Sequence, residues 1–190
     1  MAKKALLIID MQRGDFPPAK FRYQADRLIQ NIDRIAARFR SQGLPVIYIQ
    51  HDGSAENVFI PGSEDWKILA GLSPKPEDII VSKTANNAFY KSSLHDVLQK
   101  HAIEEVFISG SATDFCVNAT VLAALALDYQ ITVIADAHTT GNRPNMDATM
   151  VIDHYNWVWQ NLTPTQGAIV VKGMSELGLP GTSLPSPEGS

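Results

Sequence analysis

The chain is predicted to be an α/β protein, a three-layer αβα arrangement around a six-stranded, mainly parallel sheet. Three observations predict it. Short β-branched apolar runs recur along the chain, helical patterns separate them, and the composition is that of an ordinary globular domain, with 45% apolar and 19% charged residues. Runs that lack polar alternation belong in a sheet covered on both faces, and runs that alternate with helices belong in βαβ units. A length of 190 residues suits one domain with a sizeable core.

The first strand is expected over 4–10 and ends on Asp10. Next comes a helix in which Leu28, Ile32, Ile35, Ala36 and Phe39 share one stripe, with Gly43 where a left-handed cap belongs. The second strand covers 45–50. Residues 52–77, with Gly53, Pro61, Gly62, Gly71, Pro74 and Pro76, form a long connection of the kind that covers a site, so a lid is expected there. A third strand covers 78–83, and Ser92 or Ser93 can cap a helix carrying Leu94, Val97 and Leu98. The fourth strand, 104–110, leads into a nearly all-apolar stretch from Cys116 to Asp128 that reads as a buried helix. The fifth strand is 131–136. A last helix over 146–160 places Met150, Val151, Tyr155, Val158 and Trp159 in the core or at a subunit interface, and 168–172 is the sixth strand. Residues 1–177 read as a single domain. The tail, 178–190, is rich in Gly, Pro and Ser and is expected to be loosely ordered.

Composition excludes several classes of function. No apolar run approaches the roughly 20 residues of a membrane span, and the first ten residues are too short and too soon acidic for a signal peptide. A cytoplasmic protein is expected. The net charge of −4, without clustered Lys or Arg, argues against nucleic acid as a partner. One cysteine rules out intrachain disulfides and cysteine-based zinc sites. The segment from Asp10 to Phe16 lacks the Gly-x-Gly-x-x-Gly turn of dinucleotide sites, and no Walker lysine motif is present.

In a doubly wound sheet, ligands bind beyond the carboxyl ends of the strands. The residues there are Asp10, then Gln50, His51 and Asp52, then Lys83, while strand four leads to Cys116 and strand five to Asp136 and His138. Each alone has a plain structural reading. Asp10 serves as a turn cap, Lys83 as a solvated edge charge, and a lone cysteine as a small buried hydrophobe. Together they make a nucleophile, a proton acceptor and a cation at three strand ends, which is what cysteine-based hydrolysis requires. Cys116 follows a Gly/Ser/Thr turn at the start of a helix, where unpaired N–H groups and the helix dipole favour a thiolate.

Four segments then carry a family resemblance: Ala5-Leu6-Leu7-Ile8-Ile9-Asp10-Met11-Gln12 with Phe16, Val81-Ser82-Lys83 followed by Asn87-Ala88-Phe89, Gly110-Ser111-Ala112-Thr113-Asp114-Phe115-Cys116-Val117 with Thr120, and Ala135-Asp136-Ala137-His138. In this order they resemble the isochorismatase-like cysteine hydrolases, which include nicotinamidases, N-carbamoylsarcosine amidase and ureidoacrylate amidase. The resemblance implies a cofactor-free hydrolase of a small amide or ureido compound, with a triad of Asp10, Lys83 and Cys116. Asp10 would take the thiol proton and later protonate the leaving nitrogen, while Lys83 would lower the thiol pKa. The backbone N–H groups of Ala112 and Cys116 would form the oxyanion hole, beside a cis bond between Ser111 and Ala112. Homo-oligomers are implied too, and Trp157, Val158 and Trp159 offer apolar surface for an interface. With the Rossmann-like strand order 3-2-1-4-5-6, strand three stands roughly 10 Å from strand one, so Lys83 must lean inward to meet Asp10.

The chain departs from the family in places. Nicotinamidases usually carry a metal on an Asp-x-His pair after the second strand, whereas this segment reads Gln50-His51-Asp52-Gly53-Ser54, so no metal is expected. True isochorismatases cleave an enol ether and can do so without the cysteine, so Cys116 points toward C–N hydrolysis. Phe16, Trp66, Phe89 and Tyr90 are candidates for the pocket wall or for the core. Gln50 and Thr113 are further pocket candidates. Asn86 and Asn87 either orient a substrate amide or make a turn, and His51 either lines the pocket or caps its strand. His138 and His154 read as structural. The competing functions are an isochorismatase-type ether hydrolase and a non-catalytic or redox-sensing protein with Cys116 as an oxidisable thiol.

Overall fold

The computed structural model describes residues 2–17, 22–72 and 74–178. Its sheet contains β1 (Lys4–Ile9), β2 (Val46–His51), β3 (Ile79–Lys83), β4 (Glu105–Ser111), β5 (Gln130–Thr139) and β6 (Ile169–Lys172). The order is β3-β2-β1-β4-β5-β6 and every pairing is parallel. The central strand shows why its sequence has no polar alternation: Leu6, Leu7, Ile8 and Ile9 are all fully buried, two facing each side of the sheet.

One face is covered by α1 (Ala25–Ser41), whose Leu28, Ile32, Ile35, Ala36 and Phe39 pack on Leu6, Ile8, Val46 and Tyr48. Each of these large side chains contributes about 2 kcal/mol by burial, which outweighs intrinsic helix propensity. Gly43 closes the helix with a φ of +66°, as a left-handed cap requires. The other face is covered by α2 (Leu94–Lys100), α3 (Asn118–Ala126) and α4 (Ala148–Gln160), through residues such as Leu94, Leu98, Val121, Ala124 and Trp159. For α2 it is the Ser92 hydroxyl that accepts from an early N–H, that of Leu94 at 3.2 Å. Asp147 caps α4, its carboxylate accepting from the Met150 N–H at 2.8 Å.

Two expectations need correction, and a third gains detail. The apolar stretch after β4 does not form one buried helix. It opens as a π-helical turn over Thr113–Val117 that carries Cys116, and Leu122 and Leu127 further along face solvent. On α4, Trp159 is core while Met150 and Trp157 are exposed, so the tryptophans do not share one surface. The 52–77 connection is fastened down along its second half. Gln12 bridges Ile68, and N–H groups of Arg13, Gly14 and Leu69 bond it to the segment after β1. Of the 178–190 tail only residue 178 lies within the described residues. No helix among the described residues is long and apolar enough to cross a membrane.

Two features of the sheet position the crevice above its strand ends. The strand order reverses between β1 and β4, so Asp10 and the turn after β4 flank the opening that such a reversal creates. Between the pairs Ile108–Val133 and Gly110–His138, β4 advances two residues while β5 advances five. This bulge wraps the end of β5 behind the Cys116 turn.

Candidate active site

Asp10 ends β1 with a φ of +48°, an uncommon backbone state for an aspartate, and such strain concentrates at functional sites. Its N–H donates to the Ile49 carbonyl at 2.9 Å, which fixes the carboxylate over the strand ends. Lys83 leaves β3 in register with His51 and leans inward past β2. Its ammonium is fully buried and has three acceptors within reach: Asp10 Oδ2 at 2.7 Å, the Ala85 carbonyl at 2.8 Å and Cys116 Sγ at 3.5 Å. A lysine has three N–H donors, so this cation is satisfied without water.

Cys116 is brought to the same point by the π turn, which the Val117 N–H closes onto the Ala112 carbonyl at 3.2 Å. Its Sγ lies 3.5 Å from Asn86 Oδ1 as well as from Lys83. The Ser111–Ala112 peptide before the turn is cis. Gly110 makes the approach possible, because a Cβ there would sit 2.1 Å from the Ile9 carbonyl oxygen, at a φ of +124°.

The electrostatics correct one expectation. Burial pushes the Cys116 thiol up to about 12, the Asp10 charge pushes the same way, and Lys83 opposes both without overcoming them. Burial also raises the Asp10 carboxyl above its usual range, with the Lys83 charge opposing. Helix start and lysine were legible as thiolate-stabilising features, but desolvation outweighs them here.

The cavity over these residues has a volume of about 330 Å³, at the small end of the range for ligand sites. Asp10, His51, Ala112 and Cys116 line it, joined by Asn86, Phe59, Phe115, Gln12, Asp15, Arg22 and Arg143. His51 thus takes the lining position of its two possibilities. The other pocket candidates fall elsewhere. Gln50 is buried and donates to the Trp66 carbonyl, as does Gln12, so Trp66 serves the site through its backbone. Thr113 is fully buried against His138, at 2.9 Å from Nδ1. Asn87 makes a turn by accepting from the Phe89 N–H, and Phe89 stacks on Tyr129 in the core. Phe16 packs on the α1 side, and Tyr90 is exposed. His138 is structural: its other nitrogen, Nε2, is 2.9 Å from Asn156 Oδ1, and burial holds its pKa down at about 4.

Sequence reasoning missed Phe59, Phe115, Arg22 and Arg143. Arg143 had a signal, since it follows the fifth strand end, but the bulge that brings it to Cys116 leaves no mark in composition. Among the described residues, no group of three or more His, Cys, Asp or Glu side chains is gathered to hold a metal ion.

Comparison with known proteins agrees with this fold. Ureidoacrylate amidohydrolase from Variovorax paradoxus is 28% identical over 193 aligned positions, covering 81% of this chain and 77% of that protein. Streptothricin hydrolase from Streptomyces noursei is 29% identical over 141 residues, and that alignment covers 74% of this chain but only 51% of the relative. N-carbamoylsarcosine amidase from Thermoplasma acidophilum superposes with a TM-score of 0.75 over 93% of this chain and 99% of that one, at 24% identity, a likeness of fold. The family model for the isochorismatase domain matches residues 4–165, and the chain belongs to the isochorismatase family of hydrolases.

Proposed function

We propose that this chain is a cysteine amidohydrolase that cleaves a C–N bond of a small amide or ureido compound through a thioester. One observation carries the reading: a single buried ammonium, Lys83, touches both a buried carboxylate and the only thiol of the chain, at the floor of a small cavity. The names of relatives that act on ureidoacrylate and N-carbamoylsarcosine point the same way.

The chemistry follows from the charges. Substrate binds with its carbonyl carbon over Sγ and its oxygen toward the N–H groups of Ala112 and Cys116, which stabilise the developing negative charge. As the S–C bond forms, the thiol proton passes to Asp10. Collapse of the tetrahedral adduct breaks the C–N bond, and Asp10 returns that proton to the leaving nitrogen, which departs as ammonia or an amine. Water then attacks the thioester, giving one proton to Asp10 and its oxygen to the acyl carbon. The thiol leaves with the proton that Asp10 held. One proton thus passes from sulfur to Asp10 and on to the leaving nitrogen, beside the Lys83 side chain, which contacts both Asp10 and Sγ.

The test is ammonia release from a panel of simple amides and ureido compounds, with intact-protein mass spectrometry and Cys116→Ser as control. Release by the natural chain, an acyl adduct mapped to Cys116 and at least about a thousandfold loss in Cys116→Ser are the expected results. Undiminished turnover in that variant rules out the covalent route.

A further inference from the structure

Thr113 opens the turn that carries Cys116, but its side chain is fully buried and does not line the cavity. Its hydroxyl is the near end of a chain of polar contacts that runs from the turn through β5 to α4. Asn156, half-buried on α4, presents Oδ1 to His138 Nε2 at 2.9 Å. A carboxamide oxygen only accepts, so Nε2 carries the ring proton and Nδ1 a lone pair. Nδ1 lies 2.9 Å from Thr113 Oγ1, which therefore donates to it. Each member fixes the next: Asn156 sets the tautomer of His138, and the tautomer sets the direction of the Thr113 hydroxyl. Burial, which holds the His138 pKa down at about 4, favours the same neutral ring.

Further contacts close this chain into a loop. The His138 ring packs edge-on against Trp159, with centroids 5.2 Å apart, and the Trp159 indole N–H donates to Asn118 Oδ1 at 3.1 Å. Asn118 in turn donates its backbone N–H to the Thr113 carbonyl. Thr113 and Asn118 stand on either side of Cys116, so both ends of the nucleophile turn are held from the α4 side. The turn has a separate fastening through Asp114, which accepts from Thr140 Oγ1 at 2.7 Å and from Arg143 Nε at 2.6 Å. Loss of the inner chain alone therefore loosens the turn without releasing it. Burying such a chain costs free energy, since every polar member gives up water, and apolar side chains would fill the same space at lower cost. What the polar chain adds is direction, a fixed rotation of the peptide groups beside Thr113. Those groups include the N–H of Ala112 before it and of Cys116 after it, the donors that face the oxyanion in the proposed reaction.

We propose that Asn156, acting through His138 and Thr113, is a positioning residue for these two donors, so that α4 governs acyl transfer at Cys116 without touching substrate. The role in acyl transfer rests on the amidohydrolase reading, whereas the hold on the turn stands apart from it.

Two reagents separate positioning from a merely structural role. Acetylation by p-nitrophenyl acetate forms an S–C bond, breaks the ester C–O bond to release p-nitrophenolate, and passes through an oxyanion. Alkylation by iodoacetamide forms an S–C bond and expels iodide without one. The measured quantity is the acetylation rate divided by the alkylation rate, both mapped to Cys116. Thr113→Val keeps the side-chain shape, removes the hydroxyl and should lower this ratio about tenfold, below the roughly hundredfold loss that follows outright removal of an oxyanion donor. Thr113→Ser should recover most of that loss. Asn156→Leu should lower the ratio as well, and the double variant should be no worse than Thr113→Val alone, because two members of one chain do not add. A ratio unchanged in Thr113→Val or in Asn156→Leu overturns the proposal, and so do losses that multiply in the double variant. A second measurement needs no chemistry at sulfur: amide hydrogen exchange over residues 112–118 should be about tenfold faster in Thr113→Val. Unchanged exchange there in the folded variant also overturns the proposal. Absence of an acetyl adduct at Cys116 of the natural chain, with exchange faster in Thr113→Val, counts against the covalent reading alone.

Discussion

Replacing Asp10 by Asn should drive the reactivity of Cys116 and its catalysis in opposite directions. The thiol stands at about 12 because of burial first and the Asp10 charge second, with Lys83 opposing. Asp10→Asn removes the second contribution and leaves the first. It also leaves the Lys83 ammonium with the Ala85 carbonyl at 2.8 Å and Sγ at 3.5 Å, so the sulfur becomes its natural counter-ion. Two unit charges about 4 Å apart interact by about 4 kcal/mol at an effective dielectric of about 20. That energy is roughly a thousandfold in thiolate population at neutral pH. A less basic thiolate is also a weaker nucleophile, and a Brønsted slope of about 0.5 offsets roughly 30-fold of that gain. The net expectation is alkylation by iodoacetamide roughly 30-fold faster than in the natural chain at about pH 7. Turnover should fall by about 10² to 10⁴, because no group then receives the proton or returns it to the leaving nitrogen. The assay is pseudo-first-order alkylation followed by intact mass, beside ammonia release on the same samples. Alkylation no faster than in the natural chain, in a folded variant, would refute the claim that Asp10 loads the thiol.

Three further expectations concern stability. His138 is buried with a pKa of about 4 against an ordinary 6.5, so the unfolded chain binds a proton that the folded chain refuses. Its contribution is complete above about pH 6.5 and declines by about 3 kcal/mol as pH falls to about 4. Urea melts at both pH values read this, and an equal decline in His138→Asn would deny His138 that role. Gly110→Ala places a Cβ 2.1 Å from the Ile9 carbonyl oxygen and should cost about 3 kcal/mol or more, roughly 10 °C in Tm. A Tm within about 2 °C of the natural chain would mean that β4 can retreat from β1. Asp78 is buried and takes two bonds from Arg40, at 2.7 and 3.0 Å, so Asp78→Ala should destabilise by about 3 kcal/mol. The double variant Asp78→Leu/Arg40→Met should recover most of that loss, and failure to recover would point to packing instead of charge.

The sheet was legible because burial on both faces leaves apolar runs such as Leu6–Ile9, and turn residues such as Gly43 mark where helices stop. The stretch after Cys116 was misread for a related reason. Apolar composition does not separate a side chain in the core, such as Val121, from one left on the surface, such as Leu122. At the site, charge at strand ends was visible in Asp10 and Lys83, whereas the choice between neighbours was not. Asn86 rather than Asn87 reaches the cavity, and Phe59 rather than Trp66, because the path of a loop decides which side chain turns inward. The acidity of Cys116 was hidden too. Opposite charge can be counted along a chain, but desolvation exists only once the surrounding side chains have closed over the sulfur.

That acidity bears on the choice between hydrolase and redox sensor. Sensor cysteines are exposed and largely thiolate, because oxidants react with the thiolate. Cys116 is half-buried and set beside a carboxylate that, with burial, makes its ionisation harder, which runs against a sensor's requirements. The same carboxylate is well suited to a proton that must leave sulfur and return to nitrogen within one turnover. Burial raises its own proton affinity, with the Lys83 charge opposing. Lys83 fits the proposed reaction, since its side chain contacts Asp10 Oδ2 and Cys116 Sγ together and is also held by the Ala85 carbonyl. A buried site that only stored an oxidisable thiol would be less costly without this charge pair, whose desolvation is offset only if the two charges are used together.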